Sequence, residues 1–276
     1  MQATLSELHI YPLKSTAGIS ISRSAINEYG LAFDRQFVLS DSRGKFITAR
    51  TKPALLKIAV ALTPTGLILT APEMQPLEIR YAEFSANYCR VTIWGDEVSA
   101  QHCGRSYDHW FSEYLQQDCQ LLFFGEQSQR LTAIADKPVA FADGFPLLLI
   151  SQASLDDLNN RCQNTITAAN MRPNIVISGT EAYAEDHWKR IRIGSVEFAV
   201  VKPCGRCILT TVDPETSERN ALREPLSTLK QYRIGRDGEA HFGQNLIPLN
   251  SGVIELSDVM EVLETQTAEG YQDLSN

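Results

Sequence analysis

The chain has 276 residues, of which 43% are hydrophobic and 21% charged, the ordinary balance of a globular protein that can bury a core without disulfides. Its 25 basic and 33 acidic residues give a formal net charge of −8, which opposes broad binding to nucleic-acid polymers or attachment to a membrane through a polybasic segment. No stretch approaches the roughly 20 apolar residues of a membrane span, and the first residues show no secretory signal pattern. We therefore expect a reduced, cytoplasmic protein without nucleic-acid or membrane partners.

Strand patterns dominate the first half of the chain. Residues 5–11 alternate approximately between apolar and polar side chains. Two pairs of apolar runs flank short turn sequences and predict hairpins, one over residues 35–48 around Gly44 and one over residues 55–70 around Pro64. A further strand is predicted over residues 90–94. This half is expected to form a small, mostly antiparallel sheet or barrel.

Helices are fewer. Ser106 is predicted to cap a helix that runs to Gln117, and Ser154 has capping-box spacing for a helix that runs to Cys162. Pro225 suits the first turn of a third helix. Further strands are predicted over residues 174–178, 191–193 and 196–201.

The polar run at residues 125–130 is the best candidate for a domain boundary. We predict an α+β fold that is mainly β, with an N-terminal β-rich domain over residues 1–124, a second domain over residues 125–266 and a loose tail over residues 267–276.

Cys204 and Cys207 are the only two of the six cysteines that lie close together in sequence. A structural zinc site would need four ligands, but there is no second close cysteine pair and the five histidines show no ligand spacing. A thioredoxin-like dithiol needs a helix after the first cysteine, whereas residues 208–212 (Ile-Leu-Thr-Thr-Val) predict a strand. A plain turn, with small, half-buried cysteines beside Pro203 and Gly205, remains open.

A fourth interpretation is a single thiolate ligand to a redox metal that is carried by an anionic organic cofactor. A soft thiolate suits a metal that changes its oxidation state, and the adjacent Lys202 and Arg206 favour the ionised thiol and a nearby phosphate. The residues by themselves do not decide between this interpretation and a plain turn.

The run from Cys204 to Thr216 continues into further motifs at residues 223–229, 242–245 and 251–254. Upstream, residues 11–15, 34–35, 172–179 and 184–188 follow the same pattern in the same order. With these motifs the sequence resembles the MOSC family, and within it the mitochondrial amidoxime-reducing component and its bacterial relatives. The resemblance implies an N-terminal β-rich domain packed on a C-terminal MOSC β-barrel-like domain, with a pterin-based molybdenum cofactor (molybdopterin) between them. Pyridoxal phosphate is not expected.

The resemblance also implies roles for individual residues. Cys207 would be the catalytic residue and the molybdenum ligand, with Cys204 as the alternative ligand. The expected contacts to the cofactor, its phosphate and the turn around the metal are Lys14, Ser15, Arg35, Gly144, Phe145, Arg172, Asn174, Gly205, Arg206 and Asn245. Lysine and arginine suit phosphate oxygens through a compact charge and a planar fork of donors.

The implied activity is the reduction of N-hydroxylated compounds, such as amidoximes, hydroxylamines and N-hydroxylated bases. No cysteine follows Cys207, so an all-cysteine iron–sulfur cluster is not expected after it. Electrons would then come from a separate donor protein with a flavin or an iron–sulfur centre. Two other functions stay open: a sulfur carrier that holds a persulfide on Cys204 or Cys207, and a non-catalytic module that binds the molybdenum cofactor.

Overall fold

The computed structural model describes residues 2–272, which fold as an α+β protein made mostly of strands. The first half contains β1 (Thr4–Ile10), β2 (Ile19–Ser20), β3 (Arg23–Asn27), β4 (Gly30–Leu31), β5 (Phe37–Ser40), β6 (Ala59–Thr63), β7 (Gly66–Thr70), β8 (Leu77–Arg80), β9 (Tyr88–Ile93), β10 (Asp96–His102), α1 (Arg105–Leu115) and β11 (Gln120–Phe123). The second half contains β12 (Leu147–Ser151), α2 (Gln152–Arg161), α3 (Ala168–Met171), β13 (Ile175–Ser178), β14 (Trp188–Ile193), β15 (Val196–Gly205), α4 (Leu226–Tyr232), β16 (His241–Pro248), β17 (Gly252–Glu255) and β18 (Met260–Thr265). Short 3₁₀ helices cover Pro53–Lys57, Tyr81–Glu83, Ala184–His187 and Ile208–Thr211.

The second half is built on an eight-stranded sheet in the order β18-β14-β15-β16-β12-β13-β1-β2. Its central strand β12 is buried along its whole length, which explains its continuous apolar run. β12 and β13 are parallel, and α2 and α3 make the crossover between them, as a parallel pair requires. The other pairs in this sheet are antiparallel.

The first half contributes a four-stranded antiparallel sheet in the order β5-β11-β10-β9 and the three-stranded sheet β6-β7-β8. Apolar side chains of both sheets and of α1 share one buried cluster. Within it, Phe37 contacts the rings of Tyr81, Phe84 and Phe123 at centroid distances of 4.9 to 6.2 Å. These aromatic contacts fix the start of β5, the strand that follows Arg35 in the chain.

The first strands join the sheets of the second half. β1 pairs with β13, and β3 pairs with β17. The segment after β1, which carries Lys14 and Ser15, therefore lies where the two halves meet. The division of the chain at residue 124 stays a prediction. Of the predicted loose tail, residues 273–276 lie outside the described part. Tyr271 packs against Arg233, and the centre of its ring lies 3.8 Å from the guanidinium carbon.

The predicted fold class is confirmed, and the predicted hairpin around Pro64 is observed as β6 and β7. Two helices begin earlier in the chain than predicted. The first helix begins at Arg105 after Gly104, and α2 begins at Gln152, because the hydroxyl of Ser151 accepts the backbone N–H of Ser154 (3.1 Å). The predicted cap Ser154 instead donates its hydroxyl to Glu185, at 2.7 Å.

Among the described residues 2–272, no helix is long and apolar enough to cross a membrane.

A buried ion pair ties the 3₁₀ helix before β14 to the end of α4. Arg233 donates to both carboxylate oxygens of Asp186, at 2.7 and 3.0 Å, and Gln244 donates to the same carboxylate at 2.8 Å. Both charged side chains are almost completely buried. Removal of either partner would therefore leave an uncompensated charge in the interior.

We expect Asp186→Ala to lower the free energy of unfolding by about 3–5 kcal/mol, because Arg233 keeps its charge inside the protein. Urea unfolding followed by circular dichroism measures the change. The control is Glu264→Gln, which removes a carboxylate paired with Arg190 at 2.9 Å on the surface and should change stability by less than about 1 kcal/mol. Equal effects of the two substitutions would contradict the assigned importance of the buried pair.

Candidate functional site

One cavity at the junction of the two halves is lined by all the site residues that the resemblance implied. Its lining comprises the predicted residues Lys14, Ser15, Arg35, Gly144, Phe145, Arg172, Asn174, Cys204, Gly205, Arg206, Cys207 and Asn245. These come from the segment after β1, the segment before β5, the loop before β12, the entry to β13, the end of β15, the segment that follows it, and β16. The roles of the individual residues remain predictions, but the structure brings every one of them to the same place.

Both thiols belong to the lining of this cavity. Cys204 is near the end of β15, where the pairing with β16 shifts between Pro203 and Gly205, so the irregular strand directs this segment towards the cavity. Asn245 on β16 donates to the carbonyls of Lys202 and Pro203, at 3.2 and 3.3 Å, and holds the irregularity in place. The amide of Asn245 thus has a structural role, and its predicted contact near the metal stays a prediction.

The prediction of a strand over residues 208–212 is wrong. Ile208–Thr211 forms a 3₁₀ helix that follows Cys207. The hydroxyls of Thr210 and Thr211 donate to the carbonyls three residues earlier, at 2.9 and 2.8 Å, and these local bonds outweigh the β propensity of the side chains. The cysteines therefore do not lie in a turn between two consecutive strands.

Arg206 distinguishes the two thiols. Its Nη1 donates to Sγ of Cys204 at 3.0 Å, and its Nη2 donates to the carbonyl of Met171 at 2.7 Å. Its buried Nε has no hydrogen-bond partner within residues 2–272. Among the same residues, no hydrogen bond engages Sγ of Cys207, so this sulfur is available for a ligand at the cavity.

Two arginines of the cavity contact one aromatic ring. The guanidinium carbons of Arg35 and Arg172 each lie 4.2 Å from the ring centre of Tyr11. The Tyr11 hydroxyl donates to the carbonyl of Pro173 at 3.1 Å, and Arg172 donates to the carbonyl of Thr16 at 2.8 Å. Burial lowers the pKa of Arg172 to about 10, so this guanidinium stays charged at neutral pH.

Arg35 is held by a network of acceptors. Its Nη1 donates to Asp34 at 2.5 Å and to Asn174 Oδ1 at 3.0 Å. The amide of Asn174 also accepts the N–H of Leu148 and donates to the carbonyl of His9, both at 3.1 Å. Asn174 is 1% exposed, so its side chain mainly joins β1, β12 and Arg35 and forms a wall of the cavity.

A second cluster of charges lies around Asp143. Lys14 Nζ donates to Asp143 Oδ1 at 2.5 Å and to the carbonyl of Phe141 at 2.6 Å. Trp94 Nε1 donates to the same carboxylate at 3.1 Å, and Arg50 Nη2 lies 3.6 Å from its other oxygen. Partial desolvation by the surrounding side chains raises the pKa of Asp143, but the Lys14 ammonium and the bond from Trp94 outweigh it and hold that pKa well below its usual range.

Three cavity residues have left-handed backbone conformations that residues other than glycine usually avoid. The φ angles are 75° at Ser15, 46° at Arg35 and 54° at Arg172. Such strain persists only where surrounding contacts fix the conformation, and it is common where a site must be preorganised. The backbone therefore holds these donors in place rather than leaving them to adjust.

The cavity carries an excess of positive charge in a protein whose net charge is −8. Its lining includes five basic side chains, namely Lys14, Arg35, Arg50, Arg172 and Arg206, and one acidic side chain, Asp143. This set, together with the unpartnered Nε of Arg206 and the two thiols of the lining, fits an anionic ligand that carries a soft metal.

Sequence reasoning missed several residues of this lining, namely Thr48, Arg50, Asp143, Asn170 and Thr210. Arg50 and Asp143 stand in segments without a recognisable spacing, and only the fold brings them to Lys14. Tyr11 belongs to a motif that was identified, but its contact with two arginines could not be seen from the sequence. Gly144 and Phe145 also line the cavity, and their predicted contacts to the cofactor stay predictions.

Comparisons with known proteins agree with the motifs. Residues 2–118 match the MOSC N-terminal beta barrel domain, and residues 136–261 match the MOSC domain. The chain is 36% identical to mitochondrial amidoxime-reducing component 1 of Mus musculus, in an alignment that covers 94% of this chain and 82% of that protein. It is 38% identical to mitochondrial amidoxime reducing component 2 of Rattus norvegicus, over 84% of this chain and 72% of that protein.

Among solved structures, the YUAD protein of Bacillus subtilis aligns over 99% of this chain and 98% of that chain, with a TM-score of 0.43 and 11% identity. The two domain matches and the sequence relatives confirm the resemblance that the motifs indicated.

The network around Arg35 leads to a stability prediction. We expect Arg35→Ala to lower the free energy of unfolding by about 3–5 kcal/mol, because the carboxylate of Asp34 is buried and loses its cation. The control Arg50→Ala, which removes a more exposed arginine of the same cavity, should lower it by less than about 1 kcal/mol. Urea unfolding of both variants measures the difference.

A second substitution tests the stated cause. Adding Asp34→Asn to Arg35→Ala should restore part of the lost stability, because the neutral amide needs no cation and can still accept the N–H of Tyr11, as the carboxylate does at 2.7 Å. A double variant less stable than Arg35→Ala would show that the unpaired carboxylate is not the cause.

Proposed function

The chain belongs to the MOSC-domain family to which the amidoxime-reducing components also belong, and on that premise we propose that it is an oxidoreductase. It binds the molybdenum cofactor and reduces N-hydroxylated compounds, such as amidoximes, hydroxylamines and N-hydroxylated bases. A separate protein supplies the electrons. The observation that carries this proposal is a cavity whose lining combines an excess of basic side chains with two thiols.

The basic side chains are suited to the anionic part of the cofactor. Arg172 and Arg35 present charged planes that are fixed by Tyr11, and Lys14 offers a compact ammonium group. Such a set holds phosphate oxygens by charge-assisted hydrogen bonds. Because the left-handed backbone at Ser15, Arg35 and Arg172 is already in place, little ordering is needed when the ligand binds.

Cys207 is the proposed metal ligand and Cys204 the alternative. Sγ of Cys204 already accepts a hydrogen bond from Arg206, whereas Sγ of Cys207 accepts none within residues 2–272. In this arrangement Arg206 positions the neighbouring thiol and keeps positive charge close to the metal position. When bound, the cofactor would supply two-electron redox chemistry, and the protein would supply orientation and a thiolate ligand.

The carboxylate of Asp143 is a poor proton donor for the reaction. Although partial desolvation by its neighbours raises its pKa, Lys14 and Trp94 hold that pKa well below the usual range, so the group is ionised at neutral pH. The protons that reduction of an N–O bond consumes therefore come from another source, and water is the simplest one in a cavity that opens to solvent.

One observation favours a second candidate function. The guanidinium of Arg206 donates a hydrogen bond to Sγ of Cys204 at 3.0 Å and holds this sulfur in place beside a positive charge. A sulfur carrier would use such a sulfur to hold a persulfide. A module that only binds or stores the cofactor would use the same cavity without turnover.

We expect the protein, purified from a host that makes the molybdenum cofactor, to contain about one molybdenum per chain and to reduce benzamidoxime with an artificial electron donor. Cys207→Ala should remove both the metal and the activity, whereas Cys204→Ala should keep part of both. Elemental analysis and product quantification measure the two quantities. Cys89→Ala, which removes a half-buried thiol outside the cavity, is the matched control.

The outcomes separate the alternatives. Loss of metal only in Cys204→Ala would reverse the ligand assignment. A sulfur that thiols release from one cysteine, without any dependence on molybdenum, would identify a sulfur carrier. Bound molybdenum without turnover with any donor would identify a storage module. Full activity without both thiols would reject the proposed function.

A further inference from the structure

The carboxylate of Asp143 faces three donor groups at the cavity. Lys14 Nζ and Trp94 Nε1 both donate to its Oδ1, at 2.5 and 3.1 Å, and Arg50 faces its Oδ2 at 3.6 Å. Three positively polarised groups from separate segments therefore converge on one pair of oxygens. They come from the segment after β1, the segment before the 3₁₀ helix at residues 53–57, and the turn between β9 and β10.

The donors of this position are fixed while the carboxylate is exposed. The side chain of Lys14 is 7% exposed, and that of Asp143 is 63% exposed. Arg50 stacks on the ring of Trp94 at 4.1 Å, and Phe46 supports that ring edge-on at a centroid distance of 4.9 Å. The cations and the indole thus form a built position, and the group that fills it is the part most accessible to solvent.

The backbone at Asp143 is held, so only the side chain can leave. Arg130 donates to the carbonyls of Ala140, Ala142 and Asp143, at 3.0, 2.5 and 2.8 Å. A Cβ atom added at the next residue, Gly144, would meet no atom within 4 Å apart from its chain neighbours, so there is open space beside the loop. A rotation of the Asp143 side chain would move its carboxylate from the cations into water without breaking the bonds from Arg130.

We propose that Asp143 is an internal anion that occupies this position in the free protein and gives way to an anionic oxygen group, a phosphate or a carboxylate, of an incoming ligand. Two anions cannot share one set of cations without strong repulsion. The binding-competent state is therefore the one in which Asp143 points to solvent, and its small population lowers the apparent affinity for every anion. The inference deepens the proposed function, on which it rests, by giving the same cavity a built-in competitor.

The test uses the cofactor-free full chain and titrates it with inorganic phosphate, and separately with acetate, by calorimetry at low ionic strength. Asp143→Asn should bind phosphate about tenfold tighter than the wild type or better, because the competitor loses its charge. The carboxamide can still accept a hydrogen bond from Lys14, so the variant is expected to fold, and circular dichroism checks this. Tighter binding of phosphate but not of acetate would identify a phosphate position, and the converse a carboxylate position.

The matched control is Glu264→Gln, which removes one negative charge from a surface pair with Arg190, outside the cavity lining. It should leave the affinity unchanged, which separates displacement from a general effect of net charge. Equal or weaker phosphate binding by Asp143→Asn would overturn the proposal, because the carboxylate would then support the site instead of occupying it.

Tryptophan fluorescence provides an independent readout. Displacement breaks the bond from Trp94 Nε1 to the carboxylate, so phosphate should shift the emission of the wild type. Trp110 and Trp188 are buried elsewhere, and Trp94→Phe should abolish the shift while calorimetry still detects phosphate. A shift that persists in Trp94→Phe would locate the anion at another place and contradict the proposal.

Failure of this inference can be told apart from failure of the proposed function. Tighter phosphate binding by Asp143→Asn, together with a purified protein free of molybdenum and reductase activity, would keep the internal anion and reject the oxidoreductase. An active molybdenum protein in which Asp143→Asn fails to tighten phosphate binding would do the reverse.

Discussion

The contact of two arginines with the ring of Tyr11 is the constraint on which the site depends. Arg35 and Arg172 come from distant parts of the chain, and each guanidinium lies 4.2 Å from the same ring centre. Two like charges this close repel each other, but the aromatic face and the buried carboxylate of Asp34 offset that repulsion. The backbone N–H of Tyr11 also bonds to Asp34, at 2.7 Å. One residue at the end of β1 therefore fixes two cations and their counter-ion together.

The surrounding sheets stabilise the strained backbone of this arrangement. Left-handed conformations at Ser15, Arg35 and Arg172 each require about 1–3 kcal/mol, and they persist only because neighbouring contacts determine them. β1 pairs with β13 on one side of the motif, and the aromatic cluster around Phe37 fixes β5 on the other. The cations are thus preorganised by the fold before any ligand arrives, which is the condition for tight binding of an anion.

The sequence predicted which residues would share one cavity better than it predicted their local structure. The motifs around Tyr11, Arg172 and Cys204 selected residues that line one cavity, because a resemblance over nearly the whole chain carries information on tertiary neighbours. The strand after Cys207 was predicted wrongly, since propensity does not include the bonds of two threonine hydroxyls to nearby carbonyls. The cap of α2 was misplaced because Ser151 and Ser154 offer similar local signals, and the contact of Ser154 with Glu185 decides between them.

The residues that no local pattern could predict are those that adjust the charge of the cavity. Arg50, Trp94 and Asp143 meet only after the hairpins and the loop before β12 have folded against one another. Their effect acts at short range, because salt at about 0.1 M screens charges beyond about 10 Å. The acidic exterior, with a net charge of −8, does not attract anions from a distance. Selection among anions therefore takes place inside the cavity, where a ligand must compete with a carboxylate that the protein itself supplies.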